Sequence, residues 1–116
     1  MNGGVSIHVV DIASGRVAQG MAVSIGAVGQ APMLEGHVDE RGLLPQLDEL
    51  NERFAVGVYE VRLQVAAFYR ARGTALPDTP FTDELIYRFG IGDTREHFHL
   101  PFKLTAWGVS CFRGGA

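Results

Sequence analysis

The sequence has 116 residues, 47% of them hydrophobic, which is enough for one domain (residues 1–116) with one hydrophobic core. Its formal net charge of −3 argues against nucleic acid as a partner, because binding phosphates requires a positive surface. No apolar run reaches membrane-spanning length, and the first residues lack the features of a signal peptide. The single cysteine, Cys111, cannot form an intrachain disulfide. We therefore expect a cytoplasmic protein that does not bind membranes.

The first half of the chain predicts short strands separated by turns. Residues 5–9 alternate so that odd-numbered residues suit the core, which leaves Ser6 and His8 on the other face of the strand. In chain order we then predict a turn over residues 11–16, a strand over 21–28, a loop over 29–35, a short strand running into a turn over 36–42 and a loop with apolar anchors over 43–54. The leucine spacing of the last segment also suits a helix, but Pro45 and the short length favour a loop.

The second half predicts two further strands around one helix. Residues 56–65 alternate and are rich in strand formers, so they predict the central strand. Residues 66–72 are good helix formers and precede Gly73, which predicts the one helix of the chain. Residues 85–91 predict another strand, followed by a turn at residues 92–93. Short strands, frequent turns and one brief helix together predict an all-β sandwich.

The segment from His97 to Thr105 predicts a last strand with two different faces. Its even-numbered residues are apolar and suit the core, while His97 and His99 fall on the opposite face. Histidine titrates near neutral pH, so it can serve as a general base or acid. Imidazoles from two strands could activate a water and protonate a leaving nitrogen. Taken singly, each histidine is better explained as a solvent-facing or hydrogen-bonded residue, whereas for the three together the site and the surface explanation are even.

A metal site is the alternative interpretation of these histidines. A His-x-His pair near His8 could bind zinc or copper, because neutral imidazoles are good ligands for both. No cysteine or carboxylate lies beside them at ligand spacing. We therefore predict no metal.

Four short motifs, in order along the chain, resemble one known family. They are Ser6-Ile7-His8-Val9-Val10-Asp11 with Ser14-Gly15-Arg16, then Gly57-Val58-Tyr59, then His97-Phe98-His99-Leu100-Pro101, and finally Phe112-Arg113-Gly114-Gly115. They resemble the T-H-V-L-D…G-R/K start, the G-x-Y strand, the H-Y-H-V-P strand and the Y-R-G-S end of the transthyretin-like proteins. Within that family the resemblance is to the 5-hydroxyisourate hydrolases of purine catabolism.

The resemblance implies a two-sheet β-sandwich with one short helix, assembled as a homotetramer, a dimer of dimers, with sites between subunits. It implies hydrolysis of the six-membered ring of a small-molecule substrate, 5-hydroxyisourate, without a cofactor. By position it implies that His8, His99 and Arg113 are catalytic. One imidazole would polarise the attacking water, and the other would stabilise the carbonyl oxygen or protonate the leaving nitrogen. Which histidine has which role stays open.

The sequence departs from the family pattern at the predicted site. Leu43 stands where the site arginine is expected, and Arg41, two positions earlier, would restore a guanidinium if the register shifted. Near the end, Phe112 replaces tyrosine and Gly115 replaces serine. We expect these four residues, together with His97, to line the substrate site. The pocket has therefore lost polar groups.

A less polar pocket suggests a less polar substrate. Our hypothesis is an N-methylated 5-hydroxyisourate, such as the trimethyl compound formed when methylxanthines like caffeine are degraded through methyluric acids. A non-catalytic transthyretin-like binding protein is the main alternative, and a hydrolase of another lactam or imide is a third. A binding protein would be expected to lose its histidines along with the arginine. Because His8 and His99 are present, the sequence favours a hydrolase.

Overall fold

Strands arranged in two four-stranded sheets dominate the computed structural model, which describes residues 3–115. The strands are β1 (Val5–Asp11), β2 (Arg16–Val17), β3 (Ala22–Ala27), β4 (Leu34–His37), β5 (Gly57–Gln64), β6 (Glu84–Ile91), β7 (Phe98–Thr105) and β8 (Gly108–Ser110). One sheet has the order β2-β1-β7-β8 and the other the order β4-β3-β5-β6. β1 and β7 are parallel, and the other neighbours are antiparallel. The predicted all-β sandwich is confirmed.

The core lies between the two sheets and is built by period-two alternation. In β1 the odd-numbered residues are buried, and in β7 the even-numbered residues are buried, as predicted. Phe102 of β7 is fully buried and meets the ring of Tyr87 edge-on, with 5.5 Å between ring centroids. The remaining side chains of β1 and β7 therefore lie on the outer face of their sheet, where Ser6, His8 and His99 are found.

Residues 43–54 correct one prediction. They form a 3-10 helix (Pro45–Arg53) rather than a loop, and proline is tolerated there because the first N–H groups of a helix have no partner in any case. Its apolar anchors are buried as expected: Leu44, Leu47, Leu50 and Phe54. The helix packs against β1.

The strand predicted over residues 36–42 is also wrong in its bounds, since β4 is Leu34–His37 and begins within the predicted loop. It ends early because Asp39 makes a turn, in which its Oδ1 accepts hydrogen bonds from the backbone N–H groups of Arg41 and Leu43, both at 2.9 Å. Gly42 completes this turn with a φ of 84°. The turn fixes the approach of residues 41–43 to β1.

The predicted helix is confirmed as α1 (Val65–Ala71), one residue earlier than expected. It ends before Gly73, whose φ of 85° is in the left-handed region. Tyr69 of α1 donates a hydrogen bond of 2.7 Å to Oδ1 of the buried Asp11 at the end of β1. Burial favours a raised pKa for Asp11, but hydrogen bonds from Ser14 and Tyr69 outweigh it and hold that pKa below 3.8. No helix within residues 3–115 is long and apolar enough to cross a membrane.

Candidate active site

Three of the four histidines gather on the outer face of the sheet that contains β1 and β7. The parallel register of these strands places Ser6 beside His99 and His8 beside Pro101. His97 immediately precedes β7. The fourth histidine, His37, lies exposed at the end of β4 in the other sheet.

The Ser6 hydroxyl connects two of these imidazoles. Its Oγ lies 2.8 Å from Nε2 of His97 and 2.7 Å from Nδ1 of His99. The other ring nitrogen of His97, Nδ1, lies 2.8 Å from the carbonyl oxygen of Gly3. The result is a continuous chain of hydrogen bonds from the backbone at Gly3 to His99. Sequence analysis placed Ser6 on this face but gave it no role.

The surroundings of His99 disfavour its protonated form. Partial burial, followed by the nearby imidazoles of His8 and His97, lowers the pKa of His99 below 6.5. An imidazole with such a pKa is neutral at pH 7, which is the form that can accept a proton.

His8 is held by the turn that follows β4. Its Nε2 lies 3.1 Å from the carbonyl oxygen of Arg41, which accepts the hydrogen bond. Leu43 forms an isolated antiparallel bridge with His8, and residues opposed in such a bridge point to the same face. The predicted substrate-binding residue Leu43 is thus a direct neighbour of His8. A cleft of about 150 Å³ beside it is lined by Ser6, Arg41 and Leu43, among others.

Arg41 does not follow the strand alternation on which its prediction relied. It lies in the turn formed by Asp39, where alternation does not apply. Its side chain is 66% exposed, and its guanidinium lies 3.5 Å from the carboxylate of Asp39. Arg41 borders the cleft and holds His8 through its backbone carbonyl.

The segment after β8 returns to His99. The backbone N–H of Gly114 donates a hydrogen bond of 2.7 Å to the carbonyl oxygen of His99. A Cβ atom on Gly114 would lie 2.7 Å from Cδ2 of the His99 ring, so only glycine fits there without displacing the imidazole. At Gly115 a Cβ would meet nothing within 4 Å. Gly114 was not among the predicted site residues, although the terminal motif contains it.

The other two residues of the terminal motif are directed elsewhere. The guanidinium of Arg113 bonds to Glu96 at 2.9 Å and lies 4.2 Å from the ring centroid of Phe98. Phe112 is 50% exposed, and its ring centroid lies 5.6 Å from Nζ of Lys103. Within the single chain, therefore, the Arg113 guanidinium bonds to Glu96 and, at 3.3 Å, to the backbone carbonyl oxygen of His97 rather than to an imidazole ring.

The part of the chain that the structure describes offers no group of side chains suited to bind a metal ion. There, no group of three or more histidine, cysteine, aspartate or glutamate side chains is arranged to hold a metal ion. Nε2 of His97 and Nδ1 of His99 both contact the Ser6 hydroxyl.

The sandwich and its outer imidazole cluster define a transthyretin-like domain. A model of the HIUase/Transthyretin family matches residues 5–114, and the chain belongs to this family.

Relatives over nearly the full length agree with this assignment. The chain is 35% identical to "5-hydroxyisourate hydrolase" of Pseudomonas aeruginosa, over 97% of this chain and 91% of the relative. It is 32% identical to "5-hydroxyisourate hydrolase" of Ralstonia nicotianae, over 97% of this chain and 98% of the relative. The structure of Klebsiella pneumoniae 5-hydroxyisourate hydrolase superposes with a TM-score of 0.81 at 24% identity, over 97% of this chain and 94% of that chain. The transthyretin-like fold predicted from the sequence is confirmed.

Proposed function

We propose that this protein is a hydrolase that opens the six-membered ring of 5-hydroxyisourate or of an N-methylated 5-hydroxyisourate, without a cofactor. The observation that carries the proposal is the half-buried imidazole of His99 on the same sheet face as His8, with a pKa lowered by burial and by His8. Similarity to relatives named for this reaction supports the substrate class.

The chemistry requires only proton transfer and stabilisation of charge. Water adds to a ring carbonyl, which forms a C–O bond and leaves negative charge on the carbonyl oxygen. Collapse of this intermediate breaks the ring C–N bond, and the departing nitrogen takes a proton. Neutral and protonated imidazoles can supply both functions near neutral pH. His8 and His99 are the residues to which we assign them.

Methylated substrates are the finer part of the proposal, and Leu43 supports it. An arginine at this position would face an apolar methyl group when the neighbouring ring nitrogen is methylated, and an unpaired buried charge is costly. Leucine instead packs against a methyl group. Because Leu43 opposes His8 in the sheet, it lies where such contact with the substrate would occur.

Turnover of the two substrates tests both parts of the proposal. Freshly generated 5-hydroxyisourate and its trimethyl analogue should both decay faster with enzyme than spontaneously, and we expect kcat/KM to be higher for the trimethyl compound. Leu43→Arg should shift the ratio of the two kcat/KM values toward the unmethylated compound by roughly 10-fold or more, the discrimination typical of one or two methyl groups. Absorbance decay measures both rates.

The matched control is Val58→Arg, which adds the same charge at a 52% exposed position of β5 in the other sheet and should leave the ratio unchanged. A wild-type preference for the unmethylated compound would contradict the methylated substrate and leave the hydrolase standing. Decay of both compounds at the spontaneous rate would instead favour a binding protein of the transthyretin type.

A homotetramer with sites between subunits is the assembly we propose, as the family resemblance implies. Two features of the chain support it. The edge strand β8 is exposed along its length, including Val109, and the outer edge strand β6 exposes Ile86. The outer face with the histidines is also turned away from the other sheet, with the segment after β8 beside His99 and the turn over residues 39–42 beside His8.

Light scattering should therefore give a mass about four times the 12.6 kDa of the chain. A mass near that of one chain, in a sample that hydrolyses substrate, would show that the site is complete in a single subunit.

A further inference from the structure

The carbonyl oxygen of Gly3 fixes the direction of the hydrogen bonds around Ser6. The carbonyl oxygen of Gly3 can only accept, so Nδ1 of His97, at 2.8 Å, must carry a proton. In neutral His97 the other nitrogen, Nε2, is then unprotonated. It can only accept a hydrogen bond, and the atom that faces it at 2.8 Å is the Ser6 hydroxyl oxygen.

Ser6 has a single hydroxyl proton, and this proton is used toward His97. Its oxygen can therefore only accept from His99, whose Nδ1 lies 2.7 Å away. Nδ1 of His99 must then carry the proton of the neutral ring. The lone pair of His99 is consequently placed on Nε2, the nitrogen that does not bond to Ser6.

The bonds of His8 give the opposite tautomer. Its Nε2 faces the carbonyl oxygen of Arg41 and so carries a proton. Neutral His8 can then offer a lone pair only at Nδ1, and it can donate to a substrate only when the ring is protonated. The two imidazoles assigned to the reaction are therefore chemically distinct.

We propose that Ser6 and His97 are positioning residues that fix the tautomer of His99 and thereby make His99, through Nε2, the general base of the hydrolase. This inference rests on the proposed function. In the first step Nε2 takes a proton from water as the water oxygen bonds to the ring carbonyl carbon. In the second, the protonated Nε2 returns that proton to the departing nitrogen as the C–N bond breaks. One water is consumed, and the imidazole ends neutral.

The tautomers can be measured without any substrate. The chain has four histidines, so the nitrogen resonances of a ¹⁵N-histidine sample can be assigned by substituting them one at a time. At a pH where the rings are neutral, we expect His97 and His99 to be protonated at Nδ1 and His8 at Nε2. A His99 ring protonated at Nε2 would overturn the proposal, whatever the enzyme turns over.

Kinetics then test the consequence. Ser6→Ala should lower kcat on the order of 10- to 100-fold with KM little changed, the usual cost of losing the group that orients a reactive histidine. Ser6→Thr keeps the hydroxyl and should restore most of kcat. Ser24→Ala is the matched control, since Ser24 is a similarly half-buried strand serine in the other sheet.

The outcomes separate the two proposals. Wild-type kcat in Ser6→Ala would overturn the positioning role while leaving the hydrolase intact. Absence of wild-type turnover would overturn the hydrolase, and the nitrogen spectrum of the wild-type protein would still decide the tautomer.

Discussion

Replacing His99 with glutamine should lower kcat for ring opening by roughly 10²- to 10⁴-fold, the range expected when a general base is removed. Glutamine has a similar size but no basic nitrogen, so the strand and its packing are preserved while proton transfer is lost. The rate is measured as absorbance decay above the spontaneous reaction. His37→Gln is the matched control, because His37 is exposed in the other sheet, and this variant should turn over at the wild-type rate.

The pH dependence of the wild-type enzyme gives a second readout of the same residue. A general base must be unprotonated, and the pKa of His99 is lowered below 6.5 by burial and by its titratable neighbours His8 and His97. The pH at which kcat/KM falls to half of its maximum should therefore lie below 6.5. A midpoint above pH 6.5, or a His99→Gln variant with wild-type kcat, would exclude His99 as the base.

Substitution of Gly114 by alanine should reduce kcat by about 10²-fold, because a displacement of about 1 Å at a reacting group has an effect of that size. The added Cβ would lie 2.7 Å from the His99 ring, which must then move away. The backbone hydrogen bond from Gly114 to the carbonyl oxygen of His99, at 2.7 Å, leaves little freedom for the segment to yield instead.

Gly115→Ala is the control for this substitution. It adds the same methyl group one residue later, where nothing lies within 4 Å of the new atom, and it should retain wild-type kcat. Melting curves of both variants show whether either loses stability. Equal activity of the two alanine variants would mean that the segment after β8 is displaced in the working enzyme.

The parts of the fold that were predicted correctly depend on local alternation. The buried faces of β1 and β7 follow from side chains two residues apart, so the sequence alone reveals them. The strands β2 and β8 have two and three residues and are too short for any period to show. Pro45 and the short length of its segment favour a loop in the sequence, whereas the structure has the 3-10 helix Pro45–Arg53, whose first turn accepts proline.

Residue types and motifs predict which side chains form the site, but they do not predict the contacts between those side chains. Alternation along each strand predicts that Ser6, His8 and His99 lie on outer faces. The hydrogen bond between Ser6 and His99 depends in addition on the parallel register of β1 and β7, which are far apart in the sequence. No local pattern encodes that register. The prediction for Arg41 assumed strand geometry, and the hydrogen bonds of Asp39 impose a turn in its place.

The imidazoles before and within β7 are held by backbone atoms of the first and last segments that the structure describes. Gly3 bonds to the ring of His97, and Gly114 bonds to the main chain of His99. Both glycines lie outside the strands, and segments without strand pairing open locally at a lower free energy than a buried core. Heating can therefore release the imidazoles while the sandwich is still folded. For this protein the melting temperature reports the unfolding of the two sheets, and the temperature of half-inactivation reports the release of the imidazoles.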